Sequence, residues 1–409
     1  MLTLEQAQAA VAQTVIAVTE QERVPLTGAN GRYLARPAAA VVANPGFDNS
    51  SMDGYAVNTR TLVERDFMLP VVGESSCGDA PGVLAADSCM RIFTGAPVPK
   101  GADAVVIQED IKIVATGDGD RVQFPHSVQP QQNIRYAGED FKAGDSFFAV
   151  GHRLNPRDIA LLSAAGVVQV EVWRRPRVLV LATGNELVSP GEALKPGQIY
   201  ESNRLATILM LQQLGVDVTD GGTVRDEADD VRAALTRARD YDFTITSGGV
   251  SVGDHDLVKK IFAEFGDINF WKVRIKPGKP VAFGRLGEHG HFLGFPGNPV
   301  SSLVTFKLFL EPALCAWHHA PYLRTELAAI VESDFTRHAG RTEFLRARVT
   351  LDTRGQLHAH ILPGQGSHML GTMQHANALL RVEHDVSEVK RGQTAPVMLL
   401  ASELPIEEY

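Results

Sequence analysis

The stretch Thr246–Asp256, TSGGVSVGDHD, decides how the rest of the chain is read. The run before it, Tyr241 to Thr246, alternates and is rich in β formers, while Leu257, Val258, Ile261, Phe262 and Phe265 recur at helical spacing until Gly266 closes the pattern. The segment is therefore a strand, a glycine loop and a helix. In an open α/β sheet, ligands bind outside the carboxyl ends of the strands, and glycines let backbone amides approach a phosphate without interference from a Cβ. Asp254 stands at the edge of that loop. A helix N-terminus contributes only about 0.3–1 kcal/mol toward an anion, so a carboxylate beside a phosphate site points to a bridging hard cation such as magnesium. The same carboxylate reads equally as a helix cap.

Working outward, strand and helix patterns alternate from 178 to 316: VLVLAT, then 203–214, 216–224, 229–239 and 241–246, followed by the 257–265 helix, strands over 270–284, HFLGF, and a helix from Pro299 to about Leu314. Such alternation predicts a parallel sheet with helices on both faces. Its strand-end loops are TGNE (Thr183–Glu186), VRDE (Val224–Glu227), SGGVSVGD and FPGNPVS (Phe295–Ser301), nearly all carrying an acid or glycines. Glu186, Asp226 and Asp254 can meet at one edge of this sheet, although acids in such loops also serve as solvated caps.

Before this region, Thr3 and Gln6 have capping-box spacing and Val11, Val15 and Val18 share a helical face that must pack elsewhere. The turn formers NPGFDN (Asn44–Asn49) mark a boundary, after which short apolar runs broken by Gly, Pro and Asp predict a small, mainly β insertion. A helix with Pro156 at its first position follows, and RRPR (Arg174–Arg177) reads as a solvated hinge. Beyond the α/β region, 341–401 alternates as a separate small β domain. The expected division is 1–45 with 141–174, then 46–140, 175–322 and 323–409.

A chain of 409 residues with 44% hydrophobic content suits several packed domains. Its net charge of −9, without a lysine or arginine block, argues against nucleic-acid binding. An anionic substrate therefore needs a locally basic pocket. Three cysteines without CxxC spacing indicate neither a disulfide framework nor a zinc site. With no signal-like segment and no apolar run near the roughly 20 residues that span a bilayer, the expectation is a cytoplasmic protein without a membrane anchor. No P-loop or dinucleotide fingerprint is present. GVSVG (Gly249–Gly253) matches a nucleophile elbow and makes Ser251 a candidate hydrolase nucleophile, against which stand the residues intervening before the helix. HGH at 289–291 and HH at 318–319 lack a third ligand at metal spacing and read as loop or surface histidines.

Eight stretches carry a resemblance over essentially the whole chain: FDNSSMDGYAV (47–57), FTGAPVPKGADAVV (93–106), NIRYAGED (133–140), RPRVLVLATGNEL (175–187), TSGGVSVGDHD, KPGKP (276–280), FPGNPVS and QGSHML (365–370). Together they resemble the molybdopterin molybdenumtransferases, the family of MoeA and the gephyrin E domain. The resemblance implies a three-layer α/β/α molybdopterin-binding domain, an inserted mainly β domain and a C-terminal β-barrel-like domain. It further implies a homodimer with a site spanning both subunits, and insertion of molybdate into adenylylated molybdopterin with magnesium and release of AMP.

Matched by motif, Glu186, Asp226 and Asp254 are the implied magnesium and phosphate acids. Asp53, itself a candidate catalytic residue, joins Thr94, Arg135 and Asp140 as contacts from the insertion. Ser247, Gly248, Gly249, Ser251, Pro296 and Pro299 are implied substrate-binding loop residues, and Lys276, Lys279, Ser301, Arg346 and Ser367 the molybdate-binding set. KxxK alone also reads as two solvated lysines on a hairpin; its two prolines and glycine favour a shaped turn. A molybdopterin adenylyltransferase and molybdoenzyme chaperones are the protein partners this family suggests. Two positions depart from the usual motifs: TGNE in place of TGDE, which speaks against position 185 as a metal ligand, and PGFDN in place of PPFDN. A scaffold that clusters partner proteins on the same fold is the alternative from another class.

Overall fold

The computed structural model describes residues 1–116, 119–248, 256–322 and 326–400. Its central sheet has six strands in the order Asp217–Val224, Arg177–Thr183, Phe243–Ser247, Gly290–Phe295, Pro280–Leu286 and Ile268–Lys272. The first four run parallel, and the last two are antiparallel to their neighbours. The expected parallel sheet is thus corrected to a mixed one. Parallel pairing needs a crossover of a dozen or more residues, and neither the link between Lys272 and Pro280 nor that between Leu286 and Gly290 has room for it.

Every position of Val178–Ala182 is buried, because alternate side chains point into two cores. Val178 and Val180 join Ile208, Ile245, Phe283, Leu293 and Val304, whereas Leu179 and Leu181 join Val231, Leu235, Ile261 and Phe262. Helices Asn203–Gln213 and Pro299–Trp317 therefore cover one face, and Ala228–Ala238 and Asp256–Phe265 the other. Pro299–Trp317 has the length and apolar character of a membrane span, yet it is a core helix with Val300, Val304, Leu308, Phe309 and Leu310 buried.

The N-terminal helix Leu4–Thr14 starts at the expected capping box: Gln6 N–H donates to Thr3 Oγ1 (3.2 Å) and Thr3 N–H to Gln6 Oε1 (2.9 Å). Leu4, Ala7, Val11 and Val18 lie in the α/β core. Residues up to 18 thus pack against the α/β unit, in one cluster with Ala35 and Trp173. The helix Pro156–Ala164, capped by Asn155, instead packs Leu162 with Leu34, Leu154, Val170 and Val172.

The hinge expected at RRPR is also corrected. Arg174 pairs with Glu20 and, through both terminal nitrogens, with the buried Asp242 (2.6 and 2.8 Å), which accepts Arg177 N–H as well (2.7 Å). The segment is clamped to the sheet. Nor are His291 and His318 surface histidines: both are buried. His291 Nε2 accepts Ile16 N–H (2.9 Å), which leaves Nδ1–H to donate to Asp242 O (3.0 Å).

The insertion forms a six-stranded sheet whose core includes Tyr55, Val57, Leu69, Val106, Val122 and Phe124. At the C-terminal side, Glu326–Val331, Thr342–Leu351, Leu357–Ile361, Ala378–Val382 and Thr394–Leu399 close into a barrel. Closure depends on the long strand Thr342–Leu351, which pairs through Glu343–Ala347 with Ala378–Val382 and through Ala347–Leu351 with Leu357–Ile361. Leu345, Ala347 and Val349 fill the barrel, while Phe344 points the other way into the α/β core. The short strand Ile275–Lys276 joins the start of this same strand in parallel, at Thr342 and Glu343.

Candidate active site

A cleft of about 710 Å³ opens at the carboxyl ends of the parallel strands, where Glu186, Asp226, Ser247, Gly248, Pro296 and Pro299 meet. Gly248 makes the tight exit from its strand possible. Its φ is +94°, and a Cβ there would fall 2.5 Å from Thr183 O, so only glycine fits. The Glu186 carboxylate folds back over Gly184, where a Cβ would meet its Oε2 at 2.6 Å. Asn185, at the departure from TGDE, accepts Asp226 N–H on Oδ1 (3.1 Å) and so ties the TGNE and VRDE loops together. Gly249, Ser251 and Asp254 lie outside the described residues.

Sequence reasoning did not single out three further residues of this cleft: Glu201, Asn203 and His368. Asn203 Nδ2 donates to Ser247 Oγ (2.9 Å) and Gly297 O (2.7 Å), fastening two strand-end loops to one helix start. Buried Glu201 accepts Arg204 N–H on Oε1 (2.6 Å). Polar residues opening a helix read as caps, which hid both; His368 stood inside QGSHML.

The expected oxyanion set gathers where the barrel meets the sheet. Lys276 Nζ lies 2.7 Å from Oε1 of Glu343, a buried carboxylate whose Oε2 also lies 3.3 Å from Arg337 Nη1. One anion thus faces two cations. Lys279 is exposed, three positions along a turn that packs on the Pro299–Thr305 helix: a Cβ on Gly278 would fall 2.9 Å from Thr305 Cγ2. Ser301 is buried in the first turn of that helix, and Val300 N–H just before it donates to Ser367 O (3.1 Å). The 364–370 loop thereby docks on the helix start, and through His368 and Leu370 it lines the same cleft as Glu186 and Asp226.

Arg346, expected as an oxyanion contact, is above all the anchor of this loop. It is 1% exposed; Nη1 donates to the carbonyls of Gly366 (3.1 Å) and Met369 (3.3 Å), and Nη2 to those of Gly364 (2.7 Å) and Gly366 (3.1 Å). Only its Nε is buried without a partner. Burial holds the Arg346 pKa below the ordinary arginine value, but a guanidinium stays protonated in proteins.

The insertion contributes its residues elsewhere. Asp53 Oδ1 accepts both N–H and Oγ1–H of Thr94, each at 2.7 Å, and these bonds, aided by Arg91, hold the carboxyl below its usual range. Cys77 Sγ donates to Thr94 O (3.1 Å) from the other side. Arg135 and Asp140 border a second cleft of about 570 Å³ together with Asn44, Gly95 and Glu139. Asn44 Nδ2 donates to Asp140 Oδ2 (3.1 Å). Among the described residues, none lines both clefts.

Comparison with known proteins matches the chain to three family models: the MoeA N-terminal region (domain I and II) over residues 2–166, a probable molybdopterin binding domain over 179–316, and the MoeA C-terminal region (domain IV) over 328–400. Among curated relatives, the molybdopterin molybdenumtransferase of Haemophilus influenzae is 37% identical over 405 residues, covering 97% of this chain and 98% of the relative. Molybdopterin molybdenumtransferase 2 of Mycobacterium tuberculosis is 38% identical over 384 residues, covering 90% and 92%. Among solved structures, the molybdopterin biosynthesis moeA protein of Pyrococcus horikoshii superposes with a TM-score of 0.81 at 28% identity, over 98% of this chain and 100% of the other.

Proposed function

The chain belongs to the MoeA family of molybdopterin molybdenumtransferases, and on that premise we propose that it is a molybdenum-cofactor biosynthetic enzyme that inserts molybdate into adenylylated molybdopterin with magnesium-dependent release of AMP. The observation that supports this most is the docking of the barrel's 364–370 loop on the Pro299–Thr305 helix, which brings the loop that carries Ser367 and is held by Arg346 to the edge of the cleft lined by Glu186 and Asp226.

On the sheet side are the hard oxygen donors Glu186 and Asp226. Among the described residues no group of three or more His, Cys, Asp or Glu gathers at metal distance. Two acids in one cleft nevertheless fit magnesium, which is commonly held by one or two carboxylates, waters and substrate phosphates. When bound, the ion would supply charge neutralisation at the phosphates as AMP leaves. On the barrel side are Lys276, exposed Lys279, Ser301, Ser367 and the unpartnered Nε–H of Arg346. A buried cationic donor without an acceptor is costly, and an oxyanion would satisfy it. This local cluster answers the repulsion expected between molybdate and a chain of net charge −9. Preorganised donors of this kind stabilise developing charge without a protein nucleophile.

The second cleft belongs to the same reading. We assign Asp53, Thr94, Arg135 and Asp140 to the substrate face that a homodimer brings to its partner's sheet edge. The reaction is placed in the cytoplasm, with a molybdopterin adenylyltransferase supplying the substrate and molybdoenzyme chaperones receiving the product. The deciding experiment adds molybdate and magnesium to purified protein with adenylylated molybdopterin. Stoichiometric AMP and molybdenum cofactor are expected; no AMP above the magnesium-free control would overturn the assignment.

A further inference from the structure

We propose that His368 is the proton donor for the oxygen that leaves molybdate, an inference that rests on the molybdate-insertion reading above. Exchanging one oxo group for a dithiolene breaks one Mo–O bond and forms two Mo–S bonds, while molybdenum stays Mo(VI). With the dithiolene as its dianion, the balance is MoO₄²⁻ + dithiolate²⁻ + 2 H⁺ → trioxomolybdenum dithiolene²⁻ + H₂O. Oxide leaves as water, so two protons must reach that oxygen, and a side chain able to carry them near neutral pH belongs beside it.

The cleft offers few choices. Among the described residues, the titratable side chains lining it are the carboxyls of Glu186, Glu201 and Asp226, the phenol of Tyr200 and the imidazole of His368; Asp254 and His255 lie outside those residues. Carboxyls ordinarily titrate near 4 and phenols near 10, whereas imidazole both holds and gives up a proton between about pH 5 and 8. Of the acids, Glu186 and Asp226 are assigned to the cation and Glu201 is taken up by Arg204, which leaves them poor candidates for carrying protons to an anion.

Geometry supports the same residue. His368 adjoins Ser367, whose carbonyl receives Val300 N–H at the start of the Ser301 helix. The Arg346 bonds to the carbonyls of Gly364, Gly366 and Met369 hold the loop on both sides of it. The ring lies back over Gly366, where a Cβ would fall 2.8 Å from its Cε1. The other charged groups on this side are Arg346, Lys276, Lys279, Arg337 and Glu343. His368 is exposed, so solvent can restore its proton between the two transfers.

The test compares wild type with His368→Gln and His368→Ala in single-turnover insertion from adenylylated molybdopterin, between about pH 6 and 8. General acid catalysis contributes about 10²–10⁴-fold. Both variants should therefore be slower by about 100-fold or more, lose the wild-type pH slope, bind AMP unchanged and unfold at the wild-type temperature, and added imidazole should partly rescue the alanine variant. Independently of turnover, the ¹³C-imidazole resonance missing from His368→Gln should shift its titration on adding molybdate and AMP. A glutamine variant within about twofold of wild type with its pH slope intact, or a resonance that molybdate leaves unmoved, overturns the proposal. Failure of wild type to release AMP with molybdate would instead sink the functional reading, and the resonance would still decide whether His368 meets molybdate.

Discussion

Thr94 holds Asp53 through two hydrogen bonds to a single carboxylate oxygen, one from its amide and one from its hydroxyl. Asp53→Ala should inactivate without unfolding, since the aspartate is half-exposed at a loop edge. Heterodimers formed by mixing Asp53→Ala with Asp226→Ala should regain about half of the wild-type dimer's activity, because one of the two composite sites is then intact. Subunit exchange verified by mass spectrometry with no recovered AMP release would refute a site shared between chains.

Glu186→Gln and Asp226→Asn should each raise the magnesium concentration needed for half-maximal AMP release by about 10-fold or more, as loss of one charged ligand contact worth about 1.5–3 kcal/mol implies. Titrating turnover against magnesium measures this. Wild-type dependence in both variants would remove these acids from the metal site.

Arg346→Lys keeps the charge but not the fork that grips three carbonyls. It should loosen the 364–370 loop and weaken molybdate together. Limited proteolysis should cut within the loop faster than in wild type, and molybdate affinity should drop by about 10-fold or more. A stable loop with weakened molybdate would show that the unpartnered Nε acts on the anion alone.

Asp242→Ala should cost about 3 kcal/mol, the scale for breaking a buried pair, since Arg174 and Arg177 N–H lose their acceptor. Burial pushes this carboxyl up, but the Arg174 hydrogen bonds and Arg177 N–H outweigh it and hold the carboxyl below the ordinary range. Its contribution is therefore present above the unfolded carboxyl's pKa and lost as pH falls through the lower folded one. Denaturant melts between neutral and acid pH should show wild type converging on the variant.

In the barrel, His358 sits between two acids, with Nδ1 2.5 Å from Glu332 Oε1 and Nε2 3.3 Å from Asp352 Oδ2. The Glu332 bond foremost, then that to Asp352, holds the imidazole above its usual value. A raised folded pKa stabilises fully below the unfolded value near 6.5 and is lost as pH rises through the folded one. His358→Gln should flatten this loss. Equal stability of wild type at pH values on either side of neutrality would contradict it.

Much of the sheet and its cleft was legible because local signals agreed. FTITS ends in glycine, Thr3 and Gln6 carry their own capping geometry, and the acids of TGNE and VRDE sit at strand ends whatever lies beyond. What escaped depends on partners distant in sequence. Asp242 turns RRPR from a hinge into a clamp, and His291 is buried in a central strand, with Ile16 N–H reaching it from 275 residues away. The antiparallel edge follows from short connections rather than from strand composition. Barrel closure is set by pairings of one strand with residues near 275, 360 and 380. Arg346 reads on paper as a free cation, and its carbonyl partners belong to a loop some twenty residues later.

That closing strand, Thr342–Leu351, makes interior and chemistry two sides of one object. Leu345 and Ala347 point into the barrel, while Phe344 and Arg346 point out of it toward the sheet and the loop. Shifting its register by one residue would send a guanidinium into the barrel and a leucine toward the substrate. Anyone transplanting this site onto another scaffold, or repacking the barrel for robustness, must therefore treat the ten residues as one indivisible part, because no substitution programme can tune its inner face while ignoring its outer one.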